Sequence, residues 1–379
     1  MHTTPYWLEE AAQPLRSRRF EGRAEVAVIG GGVTGCSCAL TLAEHGVRVR
    51  LHERRTIAYG ASGRNGGFAL RGAADPHDVV RDAIGAEAAN RLMALTDTAL
   101  DRLEALAGDA FRRVGSLRMA VDEVELAAVE REYDALVADG LSVERVDALV
   151  PPLDSLFVGA IHNPRDAAIY PARWVRRLAR HAAEAGAEIA EGTEVTVESV
   201  DADVVVVCGD GFTPALLPEL DGIVIPTRGQ VIATEPLPVL RYARPHYGRH
   251  GWDYWHQLPD GRLIVGGNRD AAPRDEETTE EAITPLIQGR LDAFAAKLAG
   301  RPPVVTHRWS GFWGATPDRL PLVGPVPGRD NVWLAGGYSG HGNVLGLACG
   351  DLVARAITGD LTAELALFDP ARFLSRPNA

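Results

Sequence analysis

Gly30, Gly32 and Gly35 stand at the G-x-G-x-x-G spacing, and Glu53 follows downstream. These residue types suit a dinucleotide. Gly30 permits a tight turn, Gly32 lets the backbone approach a pyrophosphate with no Cβ in the way, and Gly35 lets a helix lie close against a strand. The tip of such a helix, from Val33, offers free N–H groups and a positive dipole end to phosphates. A carboxylate at Glu53 accepts hydrogen bonds from two ribose hydroxyls and repels a 2′-phosphate, which disfavours NADP. A bare glycine pattern is as readily an ordinary turn; what decides is the set of elements around it. Val26 to Ile29 is an apolar run fit for a buried parallel strand, a helical segment runs to about His45, Gly46 ends it, and Val47, Val49 and Leu51 alternate as a second strand ending at Glu53. That is the order of a dinucleotide-binding βαβ unit.

A second glycine-rich segment follows Arg54, with Ala61, Ser62, Gly63, Asn65, Gly66 and Gly67. Alone it is as readily a surface loop as a ligand-binding one. Far downstream, Val332 to Ala335 reads as a strand, then Gly337, Gly340, His341, Gly342 and Asn343 lead into a helix. Asp203 to Val207 is another buried strand, ending in Cys208 and Gly209, and Glu194 to Val197 is expected to be a short one. Tyr242 to His256 is dense in aromatic residues and histidine, which either pack a sheet or wall a cavity; the two readings stand level here.

These motifs together resemble the FAD-dependent oxidoreductases of the D-amino-acid oxidase superfamily, and within it the γ-glutamylputrescine oxidase-like subgroup. The segments that carry the resemblance are GGGVTG with Glu53, then GASGRNGG, then Trp309-Ser310-Gly311 with Thr316-Pro317-Asp318, from about residue 25 to 355. The resemblance implies an α/β fold: a Rossmann-type FAD-binding domain with a second, antiparallel-sheet substrate domain. It implies a leader over 1–20, a discontinuous FAD-binding domain over 21–75, 172–222 and 318–379, and a substrate domain over 76–171 and 223–317. FAD is expected to be non-covalent and held by Gly30, Gly32, Val33, Gly35, Glu53, Arg54, Ala61, Ser62, Gly63, Asn65, Gly66, Gly67, Val195, Cys208, Gly209, Gly337, Gly340, His341, Gly342 and Asn343. Val195 is expected to meet the adenine, and the helix after Gly342 to face the flavin. His341, Tyr254 and Trp313 are expected on the reacting face.

The chemistry so implied is oxidation of the C–N bond of a primary or secondary amine or an amino compound, with hydride transfer to flavin N5 and hydrolysis of the imine. Three departures narrow it. Trp313 stands where relatives place a carboxylate-binding arginine, Gly311 or its neighbours where some carry a cysteine-linked flavin, and an apolar residue near Ile264 where oxidases place a lysine. An acceptor other than oxygen is therefore a live alternative. A β-meander expected between Val195 and Val204 has no room. A flavoprotein hydroxylase or NAD-linked reductase would need a second G-x-G-x-x-G, which is missing after residue 55. A non-catalytic flavin-binding protein is the other alternative.

Composition sets outer bounds. A net charge of −12 argues against a nucleic-acid partner. No apolar run reaches the length of a membrane span, residues 1–20 lack the pattern of a signal peptide, and four cysteines without a disulfide or metal spacing fit a cytoplasmic location. The histidines show no metal-ligand spacing, so no metal is expected. The partner is expected to be a small amine or amino acid; the oligomeric state is left open.

Overall fold

The computed structural model describes residues 4–13, 15 and 20–374. Residues 1–3, 14 and 16–19 of the expected leader lie outside the described residues. Within it, Tyr6–Leu8 forms a short 3₁₀ turn. Trp7 is buried there, and its indole N–H donates to the Asn65 carbonyl at 2.8 Å, so the leader is fixed to the second glycine-rich segment.

Two sheets carry the molecule. The first has six strands in the order Leu322–Pro325, Val332–Gly336, Ala202–Val207, Ala24–Ile29, Val49–His52 and Glu188–Ala190. All neighbours are parallel except Leu322–Pro325 against Val332–Gly336. Strands buried on both faces need continuous apolar runs, and Val26–Ile29 and Val204–Val207 supply them. The second sheet has eight strands in the order Val305–Ala315, Ile225–Pro236, Arg262–Gly267, Asp253–Gln257, His246–Gly248, Ser116–Ala120, Gly159–Asn163 and Glu144–Arg145. It is antiparallel apart from one parallel pair, where His246 and Tyr247 lie beside Leu117 and Arg118. The sharp reversal before Arg262 is made at Asp260-Gly261, a pair suited to a tight hairpin turn, with Gln257 opposite Leu263.

What brings the glycine segments together is a helix crossing. The first helix, Val33–Glu44, is almost wholly buried, and the last, Gly342–Ile357, is buried along most of its length. They touch through small residues. A Cβ on Gly346 would stand 2.7 Å from Val33 Cγ1, and one on Gly350 would collide with the Thr34 carbonyl. Hydrogen bonds join them: Ser37 Oγ donates to the Leu347 carbonyl (2.7 Å) and Thr41 Oγ1 to Asp351 Oδ1 (2.7 Å), while Thr34 Oγ1 donates to the hydroxyl of Tyr338, just before the last helix (2.9 Å).

One expectation fails. Glu194–Val197 is not a strand. Its backbone groups are spent locally: the Thr196 N–H donates to Ser199 Oγ (2.8 Å) and the Ser199 N–H to the Thr196 carbonyl (3.2 Å). A hydroxyl that bonds nearby backbone competes with pairing to a neighbouring strand. The chain thus passes from Ala190 to Ala202 as a loop, and the sheet has no meander there.

Candidate active site

The first helix starts at Val33, with Gly32 extended before it (φ −81°, ψ −174°). Gly30 holds φ +116°, and a Cβ there would stand 2.5 Å from the Cys208 carbonyl oxygen, so only glycine makes this turn without strain. The Val33 N–H donates to Ser62 Oγ (3.0 Å), which ties the second glycine-rich segment to the helix tip. Glu53 is oriented by accepting N–H bonds from Gly31 (2.8 Å) and Arg55 (2.7 Å). Ala61–Arg64, expected as loop, is one turn of helix.

The last helix starts at Gly342, and Asn343 in its first turn faces Asn65. Their amides bond reciprocally, Asn65 Nδ2 to Asn343 Oδ1 at 3.1 Å and Asn343 Nδ2 to Asn65 Oδ1 at 3.2 Å. Asn343 Nδ2 also reaches the Phe68 carbonyl (2.6 Å), and the Gly67 N–H donates to Asn65 Oδ1 (2.9 Å). Both helix tips and the second glycine-rich segment are thereby locked around one space.

That space is a cavity of about 880 Å³. Gly30, Gly32, Val33, Glu53, Arg54, Ala61, Ser62, Asn65, Gly66, Val195, Cys208, Gly209, Gly340, His341, Gly342, Asn343, Tyr254 and Trp313 all line it. Four of the sequence-derived residues, Gly35, Gly63, Gly67 and Gly337, do not; they shape its walls. A Cβ on Gly35 would collide with the Gly30 carbonyl oxygen and one on Gly63 with the Ala58 carbonyl oxygen, while one on Gly67 would stand 2.8 Å from the Ile169 carbonyl oxygen. The Gly337 N–H is already donated to Asp210 Oδ1 (3.0 Å).

The eight-stranded sheet forms the opposite wall, and strand alternation sorts the aromatic residues. Trp255 and His246 turn into a second core, stacked at 5.0 Å, with Tyr242, Phe157 and Phe294 around them. Their neighbours Tyr254 and Tyr247 face the cavity. Tyr254 lies over Gly66, where a Cβ would stand 2.8 Å from its ring, and over Gly266, where a Cβ would collide with it. Trp313 fits against Gly229 in the same way, at 2.6 Å. His341 stacks on Tyr247 (6.1 Å, 22°), and its Nδ1 is buried with no hydrogen-bond partner. Burial, then the charges of Arg118 and Arg319, push His341 down to about 3. Burial pushes the Tyr254 phenol up to about 12 against the pull of Arg269. Ile264 is fully buried in the main core and does not line the cavity.

The donor set fits FAD. The Val33 helix tip and the Ser62 hydroxyl suit the pyrophosphate, an oriented carboxylate suits a ribose, and the Gly342 tip with an aromatic wall suits a flat ring. The DAO family of FAD-dependent oxidoreductases matches residues 25–356 of this sequence. The chain belongs to that family. It is an FAD-dependent oxidoreductase, and FAD is its cofactor. It is 29% identical to the gamma-glutamylputrescine oxidoreductase of Escherichia coli (strain K12), over 95% of this chain and 90% of that protein. It is 28% identical to a glycine oxidase of Pseudomonas aeruginosa, over 92% and 97%. Among solved structures, glycine oxidase from Geobacillus kaustophilus shares the fold at a TM-score of 0.76 and 23% identity, covering 94% of this chain and 100% of that one.

Two residues of this DAO-family site escaped sequence reasoning. Asp210 (φ +46°) lines the cavity, and its carboxylate accepts the Gly314 N–H (3.1 Å) and the Gly337 N–H (3.0 Å), joining the Trp313 strand to the turn before His341. Burial raises its pKa and those N–H bonds oppose the rise. The signal was its place directly after the strand that ends in Cys208-Gly209. Arg269 also lines the cavity; no spacing marks it, because it arrives from the turn after Arg262–Gly267.

Among the described residues, no helix is long and apolar enough to cross a membrane.

Proposed function

We propose that this protein oxidises the C–N bond of an amine or amino acid bound between the glycine-rich cradle and the aromatic wall. The observation that carries the reading is the convergence of both helix tips on one cavity whose far wall holds Tyr254, Trp313 and His341. Bound FAD supplies the two-electron oxidant, which no side chain here can replace. Gly30, Gly32, Val33, Glu53, Ser62, Asn65 and Asn343 would hold it. Gly311 or its neighbours stand where some relatives carry a linking cysteine, which supports non-covalent binding. The two sheets support the division into an FAD-binding domain and a substrate domain.

In the reaction, the C–H bond next to nitrogen breaks, the C=N bond forms, and the N–H proton leaves to solvent. Water then hydrolyses the imine to a carbonyl compound and an amine. The protein positions the amine and keeps it dry. The nitrogen must be neutral to release its electrons. His341 is already neutral above its low pKa, and Tyr254 keeps its proton over the working range. Neither changes charge near neutral pH, so kcat/KM should rise with pH along the titration of the substrate ammonium itself. An inflection near 6.5 that vanishes in His341→Gln would contradict this. The decisive experiment is anaerobic reduction of the FAD-loaded protein by a panel of amines and amino acids, followed at the flavin absorbance; no bleaching by any of them would leave a flavin-binding protein without this activity.

A second reading concerns the acceptor. Ile264 is turned into the core, and the one lysine of the sequence, Lys297, is exposed in the last turn of Pro285–Ala299. This favours an acceptor other than oxygen. Oxygen uptake slower than dye reduction by the same reduced protein supports it. The unbridged cysteines support a cytoplasmic location.

A further inference from the structure

We infer that residues 4–13 are a clasp for the cofactor site, with Trp7 as a positioning residue that holds the second glycine-rich segment in the shape that takes FAD. The inference rests on FAD as the cofactor and not on which bond is oxidised.

The segment that needs holding is short. Ala61–Arg64 is a single helical turn of four residues, and one turn does not persist on its own. Ala61, Ser62 and Asn65 present it to the cavity. The leader meets it from elsewhere. Trp7 is buried, donates its indole N–H to the Asn65 carbonyl at 2.8 Å, and meets the Tyr170 ring edge-on at 5.8 Å. Leu8 follows it onto the turn, where a Cβ on Gly63 would stand 3.1 Å from Leu8 Cδ2. Neither Trp7 nor Leu8 lines the cavity, so both support the turn from outside it.

The leader has little backbone structure of its own. Its turn at Tyr6–Leu8 is closed by the Leu8 N–H on the Pro5 carbonyl (2.9 Å). Side chains fix it to two parts of the molecule. Tyr6 packs edge-on against His307 (5.3 Å) under the Arg262 guanidinium (4.8 Å), and Glu9 reaches His307 Nε2 at 2.9 Å. Those partners stand on Val305–Ala315 and Arg262–Gly267 of the eight-stranded sheet. Glu10 accepts from Arg173 Nε with its carboxylate (2.9 Å) and from Arg176 Nη1 with its carbonyl (2.6 Å), both on the helix Pro171–Ala185. The Glu10–Arg173 pair is exposed enough for water to screen it, so it contributes little. Burial of the Trp7 indole, with its one hydrogen bond, carries most of the docking.

Asn65 is where the leader and the cofactor site meet. Its carbonyl takes the Trp7 N–H, while its side chain takes the Gly67 N–H and bonds Asn343 at the tip of the last helix. Ser62, in the same turn, accepts the Val33 N–H at the tip of the first. A turn already ordered by the leader leaves less for FAD to order. Two partners that order one element bind cooperatively, and each raises the affinity of the other by the same factor.

The test compares the full chain with a variant lacking residues 2–13 and with Trp7→Phe, which keeps a ring in place and removes the N–H. FAD is titrated into each FAD-free protein by flavin fluorescence, and its release is timed. The deletion should weaken FAD by about 5- to 150-fold, the span of coupling between sites, mainly through faster release. Trp7→Phe should weaken it by about 2- to 12-fold, as for one lost hydrogen bond. The reciprocal reading uses the full chain: FAD should slow chymotryptic cleavage within Tyr6-Trp7-Leu8 by a factor comparable to the affinity lost on deletion. A segment that only stabilised the fold would leave that cleavage indifferent to FAD and lower the melting temperature of FAD-free and FAD-loaded protein alike. Either that result, or FAD affinity within about twofold of the full chain after deletion, would overturn the inference. Should the deletion misfold, Trp7→Phe and the cleavage rates of the full chain decide. A coupled leader in a protein whose flavin no amine reduces would sink the proposed function and leave this inference standing.

Discussion

The cradle and the wall of this cavity are built on opposite principles. The cradle presents backbone: glycine turns, two helix tips and short polar side chains that bond each other. The wall presents side chains: Tyr254 and Trp313, seated on Gly266 and Gly229 of the second sheet, with Tyr247 and Arg269 beside them. Backbone recognition depends on local spacing, because a turn and the helix it opens are adjacent in sequence. A side-chain wall depends on which strands become neighbours, and Arg269 meets Trp252 and Trp313 only through the sheet. The cradle should therefore tolerate little change at its close approaches, whereas the wall should trade one chemistry for another while the fold persists.

The largest effect is expected at the helix crossing. Gly350→Leu would drive a side chain into the Thr34 carbonyl and Ser37. Overpacking of this kind ranks with the most severe single substitutions, about 4 kcal/mol or more. The purified variant should be colourless after incubation with FAD, with a depressed melting temperature. A variant that stays yellow would mean that the crossing does not set the cradle.

Asp210→Ala comes next, because Asp210 joins the two regions. It orphans the Gly314 and Gly337 N–H groups, each costing about 1–3 kcal/mol where buried. Denaturant unfolding should show a loss of about 3 kcal/mol. Asp210→Asn, which keeps one acceptor, should lose about half as much. Equal stability of all three proteins would remove Asp210 from its joining role.

The effect that is smallest at neutral pH separates the regions by its growth in acid. Burial pushes His246 and His256, both in the wall sheet, down to about 3, as it does His341 at the rim. Their unfolded pKa lies near 6.5. The unfolded chain thus takes up protons first, and stability should fall as pH drops from about 6.5 towards 3, by up to about 1.4 kcal/mol per pH unit for each histidine. His246→Gln and His256→Gln should flatten that slope in urea unfolding between pH 7 and 4. A wild-type stability that does not change over this range would contradict the buried neutral state of these rings.

How far the sequence could be read follows the same division. The βαβ unit, the strand before Cys208 and the helix after Gly342 were legible because glycine spacing and apolar runs are local. The crossing was not, although Gly346 and Gly350 are spaced as small residues on one helix face; nothing in a single helix says which partner it meets. The dense aromatic segment from Tyr242 to His256 left packing and cavity-lining level, and alternation along two strands resolved it into both. Glu194–Val197 read as a strand from its valines, yet Ser199 drew its backbone into a turn. Asp210 and Arg269 act through contacts distant in sequence, which no spacing records.

The central claim is that the tips at Val33 and Gly342 face one FAD. It is tested most directly by titrating the FAD-free protein with FAD, alongside Gly32→Asp and Asn343→Asp, each of which sets a negative charge at one tip. One FAD should bind per chain with the visible spectrum of a protein-held flavin, and each variant should bind about tenfold or more weakly, since a negative charge at a helix N-terminus opposes the phosphates at one tip and the electron-rich carbonyl edge of the ring at the other. No uptake of FAD by the wild type, or a loss confined to one tip, would contradict the account.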